Sequence, residues 1–310
     1  MVYIRIIINL LLDNMEIKRL FAWALIAMPL LAACDDDKIN NEENGGDSTE
    51  VTMATLTGEW YLHLPESSET IDESLVINKD GTFVMQRTYS SEGQVSFENH
   101  SEGKFKLEGN KLIGQNIKSQ YRSSIWDNGQ YKGMSEWQDD DYSQMADTIQ
   151  VSLIRGGSVL LLFTSYDEGA TFYFKKGSKL PGDKSELQGT WYWMEESYKS
   201  DDRAVRVAVK FDGDNIDLIV CPWNQRFICK YTYKDGIVSS SGEVTFRTLW
   251  RADGANELNP TNPYDSDWLP TYDPEQYTGN LSDGFSFPFI VNGKNAYSIF
   301  VGLNPVYTKQ

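Results

Sequence analysis

The sequence predicts an all-β protein made of two copies of one antiparallel, eight-stranded unit. Three observations predict it. Leu56-Thr57-Gly58-Glu59-Trp60-Tyr61 is echoed by Leu187-Gln188-Gly189-Thr190-Trp191-Tyr192, an offset of 131 residues (187 against 56), about the size of one domain. After each hexapeptide come short runs of alternating apolar and polar residues, punctuated by Gly, Asp and Asn, with no amphipathic helical pattern. Five landmarks then recur in the same order in both halves, which is evidence for duplication. A chain of 310 residues has room for two such units and a leader.

In the first copy, Trp60, Leu62 and Leu64 alternate with Glu59, Tyr61 and His63, the period of a half-buried strand. Glu73 to Asn78 is a second strand. Lys79-Asp80-Gly81 turns the chain, since Asp-Gly supplies the positive φ of a tight hairpin, and Thr82 to Tyr89 returns. Gly103 to Leu107 and Lys111 to Ile117 flank the turn Glu108-Gly109-Asn110. Thr148 to Ile154 and Val159 to Thr164 flank Arg155-Gly156-Gly157, and Thr171 to Lys175 closes the unit. Eight short strands joined by turns fit an antiparallel barrel or a sandwich.

The second copy repeats this order. Trp191 and Trp193 alternate with Tyr192 and Met194. Val205 to Phe211 and Ile216 to Cys221 flank Asp212-Gly213-Asp214. Lys230 to Gly236 matches Lys104 to Gly109. Phe285 to Val291 and Ala296 to Val301 flank Asn292-Gly293, and Pro305 to Lys309 closes. The units are expected at 53–178 and 184–310, joined by Leu180-Pro181-Gly182-Asp183, a linker short enough for the two to touch.

Gly58-Glu59-Trp60 and Gly189-Thr190-Trp191 each open an eight-stranded antiparallel unit, and in this the chain resembles the lipocalin superfamily. The Leu-x-Gly-x-Trp-Tyr opening is most similar to the lipocalin-like domains of bacterial surface lipoproteins. The resemblance implies two tandem eight-stranded barrels. In each, the glycine permits close approach, the tryptophan plugs the closed end, and a basic residue after the last strand lies over the indole. Lys175 or Lys176 would serve in the first copy and Lys309 in the second; the family more often has arginine there.

The leader points to export. Met15 to Arg19 is a short basic segment, and Leu20 to Leu31 is an apolar run of twelve residues broken by Pro29. That is shorter than the roughly 20 residues a spanning helix needs, and it fits a secretory signal. Met15 is the expected true start, with 1–33 removed. Leu31-Ala32-Ala33-Cys34 resembles a bacterial lipobox, which implies that Cys34 becomes the lipidated N-terminus. Asp35-Asp36-Asp37 resembles the signal that sends some Gram-negative lipoproteins to the outer face of the outer membrane; an ordinary acidic tether reads equally well. Residues 34–52 are otherwise polar and are expected to form a disordered acidic linker.

A net charge of −17 argues against nucleic acid or an anionic membrane surface as partner, leaving the lipid as the only membrane contact. The sequence lacks a Gly-x-Ser-x-Gly elbow, a P-loop and a His-Glu-x-x-His motif, and its two histidines, His63 and His100, have no metal-like spacing. No enzyme activity, cofactor or metal is expected. Cys221 and Cys229 flank a turn, and an exported chain can oxidise them if the register brings them within reach; otherwise they are buried thiols. Two insertions carry aromatics among acids: Trp126, Tyr131, Trp137 and Tyr142 in one, Tyr264, Trp268 and Tyr272 in the other. Insertions this long are functional or disordered. Their aromatics either stack on a ligand such as a sugar ring or pin the loop to the barrel. The expected function is binding of a small apolar molecule or a glycan, with docking of filled barrels on an envelope or host protein as the alternative.

Overall fold

The computed structural model describes residues 46–310 apart from 66–68, 92, 141–147, 164–169, 197–202, 221–224, 252–267, 271–277, 282–283, 300–305 and 310. Within these, side chains are not described at 65, 69, 195–196, 203–204, 246–251, 268–270 and 278–281. The described residues belong to one compact unit holding two ten-stranded antiparallel sheets.

A one-turn helix, α1 (Met53–Leu56), leads into the first sheet; Thr52 and Thr55 cap its N-terminus reciprocally. The strands are β1 (Gly58–Pro65), β2 (Glu69–Ile77), β3 (Thr82–Ser91), β4 (Gln94–Glu108), β5 (Lys111–Asp127), β6 (Gln130–Met134), β7 (Gln138–Asp140), β8 (Thr148–Ile154), β9 (Val159–Phe163) and β10 (Ala170–Lys175). Consecutive strands pair from β1 to β5. β5 then pairs with β8, β8 with β9, β9 with β10, and β10 returns to β1. The result is a closed eight-stranded up-and-down barrel in which no edge is left open. β6 and β7 both pair with the far part of β5, beyond the closed ring.

The second sheet contains β11 (Gly189–Glu196), β12 (Arg203–Asp212), β13 (Asn215–Val220), β14 (Gln225–Lys234), β15 (Ile237–Arg251), β16 (Trp268–Pro270), β17 (Thr278–Leu281), β18 (Ser286–Asn292), β19 (Asn295–Ser298) and β20 (Val306–Lys309). It repeats the pairing order of the first, including two short strands against the far part of its fifth.

Alternation places Trp60, Leu62, Leu75, Ile77, Phe83, Leu112, Leu153 and Leu160 inside the first barrel, all buried. The second interior is more aromatic: Trp191, Phe211, Tyr231, Phe287, Phe289 and Tyr307 are buried in one cluster. Phe289 touches Trp191, Phe211, Phe287 and Tyr307 through ring contacts of 5.2–6.2 Å between centroids.

β10 is buried on both faces, and so is most of β18. A strand facing water on one side would alternate. Here the outward faces of the two sheets pack on each other. Ile290 and Tyr297 of the second sheet belong to the apolar cluster of the first, and Tyr297 meets Phe163 edge-on at 6.3 Å. At Gly236, φ is 78°, and a Cβ would lie 2.8 Å from both Phe174 and Ile290, so only glycine fits this contact.

The N-terminal segment is tied into the same junction, against the expectation of a disordered linker as far as residue 52. The Asp47 carboxylate accepts the backbone N–H groups of Arg155 and Gly156 at 2.6 and 2.8 Å. The Asn292 side chain accepts from the N–H of Asp47 and donates to its carbonyl, both at 3.0 Å. Thr49 makes a β-bridge with Leu153. The composition of this stretch cannot bury a core, but two turns supply it with backbone partners.

Candidate functional site

Each sheet is closed at one end by a tryptophan on its first strand. The indole N–H of Trp60 donates to the Leu56 carbonyl at 2.8 Å, and that of Trp191 to the Leu187 carbonyl at 2.7 Å. Lys175 Nζ lies 5.2 Å from the Trp60 ring and Lys309 Nζ 5.1 Å from the Trp191 ring. Of the two candidates in the first copy, Lys175 takes this place, because strand pairing sets it opposite Trp60; Lys176 pairs with Glu59 outside the barrel. The glycines have φ of 143° and 119°, and a Cβ on them would approach the lysine side chains to 3.4 and 3.0 Å. Both indoles are fully buried, so each fills the end of its own sheet beneath its lysine.

Further up the first barrel, Glu73 and Arg87 face each other across β2 and β3. They form an ion pair of 2.6 Å with only 3% and 5% of their side chains exposed. The Tyr173 hydroxyl donates to Glu73 at 2.7 Å. Burial works against the Arg87 charge, but Glu73, with Tyr89 and Tyr173, outweighs it and holds the guanidinium above its ordinary pKa. Burial also pushes the Tyr173 phenol well up, with Glu73 adding to the effect, so Tyr173 stays a donor. Beside this group, with Asn99 opposite Arg87 in register, Asn99, Ser101 and Ser119 are buried and hydrogen-bonded to one another at 3.0–3.2 Å. The Asn99, Ser101 and Ser119 side chains therefore satisfy one another, whereas Arg87 Nε lies close to Glu73 as an ion pair without an aligned hydrogen bond.

A cleft of about 510 Å³ lies where the two sheets meet, lined by Asp47, Arg155, Glu186, Lys179 and Asn292 among others. Its charges are largely engaged. Arg155 makes a two-pronged pair with Glu186 at 2.8 and 3.1 Å and donates to the Val291 carbonyl, while Asp47 is held as described above. These bonds clasp the sheets together.

The exposed aromatics lie elsewhere. Past the barrel, β5 runs on to Asp127, turns at Asn128 and Gly129 with φ of 50° and 74°, and returns as β6. The segment expected as a loop from Trp126 to Tyr142 is thus, over its described residues, a hairpin arm. The overlooked signal is Asn128-Gly129, a strong short-range hairpin cue. Alternation along β5 puts Gln120, Arg122, Ser124 and Trp126 on its outward face. Trp126 and Tyr131 meet at 5.6 Å and 66°. The Trp126 indole N–H donates to Ser124, and the Arg122 guanidinium lies 4.7 Å over the Trp137 ring while pairing with Glu98. Trp126 is 55% exposed, Trp137 40% and Tyr131 37%. Arg122, which lies against Trp137, had no sequence signal of its own.

Of the other predicted residues, Cys229 is a buried thiol, free of any bridge, with its pKa pushed up to about 11 by burial. Register pairs it with Ile216, whereas Val220, the residue before Cys221, pairs with Gln225, four positions along the ladder. Cys221 itself, the leader with Cys34, Tyr142, Tyr264 and Tyr272 lie outside the described residues, as does the side chain of Trp268. His63 binds Asp72 at 2.6 Å on the surface, and His100 lies on β4.

The first sheet is therefore an eight-stranded up-and-down barrel with an indole floor under a lysine, the form that the lipocalin resemblance implies. No protein-family model matches the chain, and no curated protein matches it in sequence. Among solved structures, the chain is similar to the Cpx pathway activator NlpE from Escherichia coli, at 16% identity over 74% of this chain and 94% of that one. The TM-score is 0.16, and a likeness at that level carries nothing further.

Proposed function

We propose that this is a lipid-anchored protein of the Gram-negative outer membrane, built of two tandem lipocalin-like barrels and acting as a non-catalytic binding module. Its ligand is met on the outside, on the β5–β6 arm. One observation carries this: among the described residues, the interiors hold large buried side chains and a buried ion pair, while Trp126, Tyr131 and Trp137 stand exposed on the arm. Exposed tryptophans in such a grouping mark interaction surfaces rather than stability. The barrels serve as a rigid scaffold, and Cys34 supplies the anchor.

Native mass spectrometry of the full chain, incubated in lysate of its source organism, tests the binding surface. A discrete adduct on the wild type is expected to be absent from a Trp126→Ala/Trp137→Ala variant. An adduct that survives both changes would move the site into a barrel, and a bare wild-type protein would defeat the binding reading. Separately, Cys34→Ala is expected to leave the membrane fraction after a carbonate wash; retention there would sink the lipid anchor.

A further inference from the structure

Resting on the reading of the arm as the binding surface, we propose that its outward face is a site for an uncharged oligosaccharide, gripped at two aromatic platforms. The first platform is Trp126 with Tyr131, and the second is Trp137 with Arg122. Arg122 and Trp126 are four residues apart on one strand, which in extended backbone is roughly 13 Å. That spacing exceeds a single sugar ring and suits a chain of them. Between the platforms lies Ser124, and beyond Arg122 the Gln120 amide donates to Asp139 at 2.7 Å. The face thus alternates flat apolar surfaces with hydrogen-bonding groups. A pyranose has the same alternation, with C–H groups on its ring faces and hydroxyls around its edge. The rings lie against indole and phenol, where the electron-rich faces attract the polarised C–H bonds, and the hydroxyls meet the amide, carboxylate and guanidinium.

Charge decides against other occupants. Arg122 is paired with Glu98, and Lys132 lies 3.9 Å from Asp127, so the stripe presents no free cationic cluster. A polyanion would approach a chain of net charge −17, and the scattered cations of this face, two of them already paired, offset that only weakly. A protein partner would favour a contiguous apolar core of standard interface size. Here the aromatics are separated along the strand by polar side chains, and Ile125, 47% exposed, points to the opposite face.

The test is affinity electrophoresis of the full chain in detergent, through native gels cast with neutral polysaccharides (β-1,4-glucan, α-1,4-glucan, β-mannan, xylan) and with anionic polygalacturonate. Retardation is expected in at least one neutral gel and not in polygalacturonate. Trp126→Ala and Trp137→Ala are each expected to weaken it about tenfold, since truncating a stacking platform has an effect of that order. Both side chains are exposed, so the variants should fold; an unchanged circular dichroism spectrum checks this. Free migration in every gel, retardation that survives the double variant, or retardation by polygalacturonate alone would each overturn the proposal. If a lysate adduct is lost with the double variant while every gel leaves migration unchanged, the arm remains a binding surface and only the oligosaccharide is wrong.

Discussion

Glu73→Ala is expected to destabilise the first barrel by about 3–5 kcal/mol, because it leaves the Arg87 guanidinium buried without its counter-charge. Arg87 is 5% exposed, and its charge is held there by Glu73 first and by two tyrosines second. The variant also takes away the acceptor of the Tyr173 hydroxyl, so two polar groups lose their partner at once. Urea unfolding followed by tryptophan fluorescence measures the loss as a fall in the midpoint. The paired change Glu73→Leu with Arg87→Met is expected to recover most of it, since two apolar side chains of similar bulk avoid the desolvation cost that the ion pair must repay. A loss under about 1 kcal/mol in Glu73→Ala would mean that Arg87 reaches water. Failure of the double variant to recover would mean that the pair holds the geometry of the barrel rather than merely balancing charge.

Trp60→Ala is expected to cost a similar amount, about 3–5 kcal/mol, by opening a cavity at the closed end. Trp60 is 1% exposed and anchors both the helix before it, through Leu56, and the last strand, through Lys175. Two milder changes separate the contributions. Trp60→Phe keeps an aromatic face but leaves the buried Leu56 carbonyl without its donor, an effect of about 1–3 kcal/mol. Lys175→Met keeps the aliphatic stem and removes the charge over the indole, an effect of about 0.5–2 kcal/mol. If Trp60→Ala cost no more than Lys175→Met, the indole would not be the plug. The same series at Trp191 and Lys309 is expected to give matching values, because the distances there are nearly identical.

Much of the fold can be read from local pattern. Each of the eight barrel strands of the first copy overlaps a run that alternation and turns predict, and Lys79-Asp80-Gly81 and Arg155-Gly156-Gly157 are both turns in the structure. β4 shows why such reading stops short. It begins at Gln94, well before the expected Gly103, because its inward residues there include Asn99 and Ser101. A buried polar face gives no hydrophobic period to detect. The arm was hidden for the opposite reason: its aromatics are exposed, so its alternation does not sort apolar from polar, and only the Asn128-Gly129 turn betrays it.

The sequence by itself determined the repetition and the order of strands and turns. These depend on near neighbours in the chain, on φ preferences and on a strict period of two. Tertiary structure alone decided which acid is buried: Glu73 is one among 45 acidic residues until β2 and β3 pair in register and set it opposite Arg87. It alone also decided that β10 and β18 are covered on both faces, that Asp47 joins two turns from different sheets, and that Arg122 lies against Trp137. Each is a contact between residues distant in sequence, formed only when closure of the barrel and packing of the sheets bring them together, and no local preference encodes the partner.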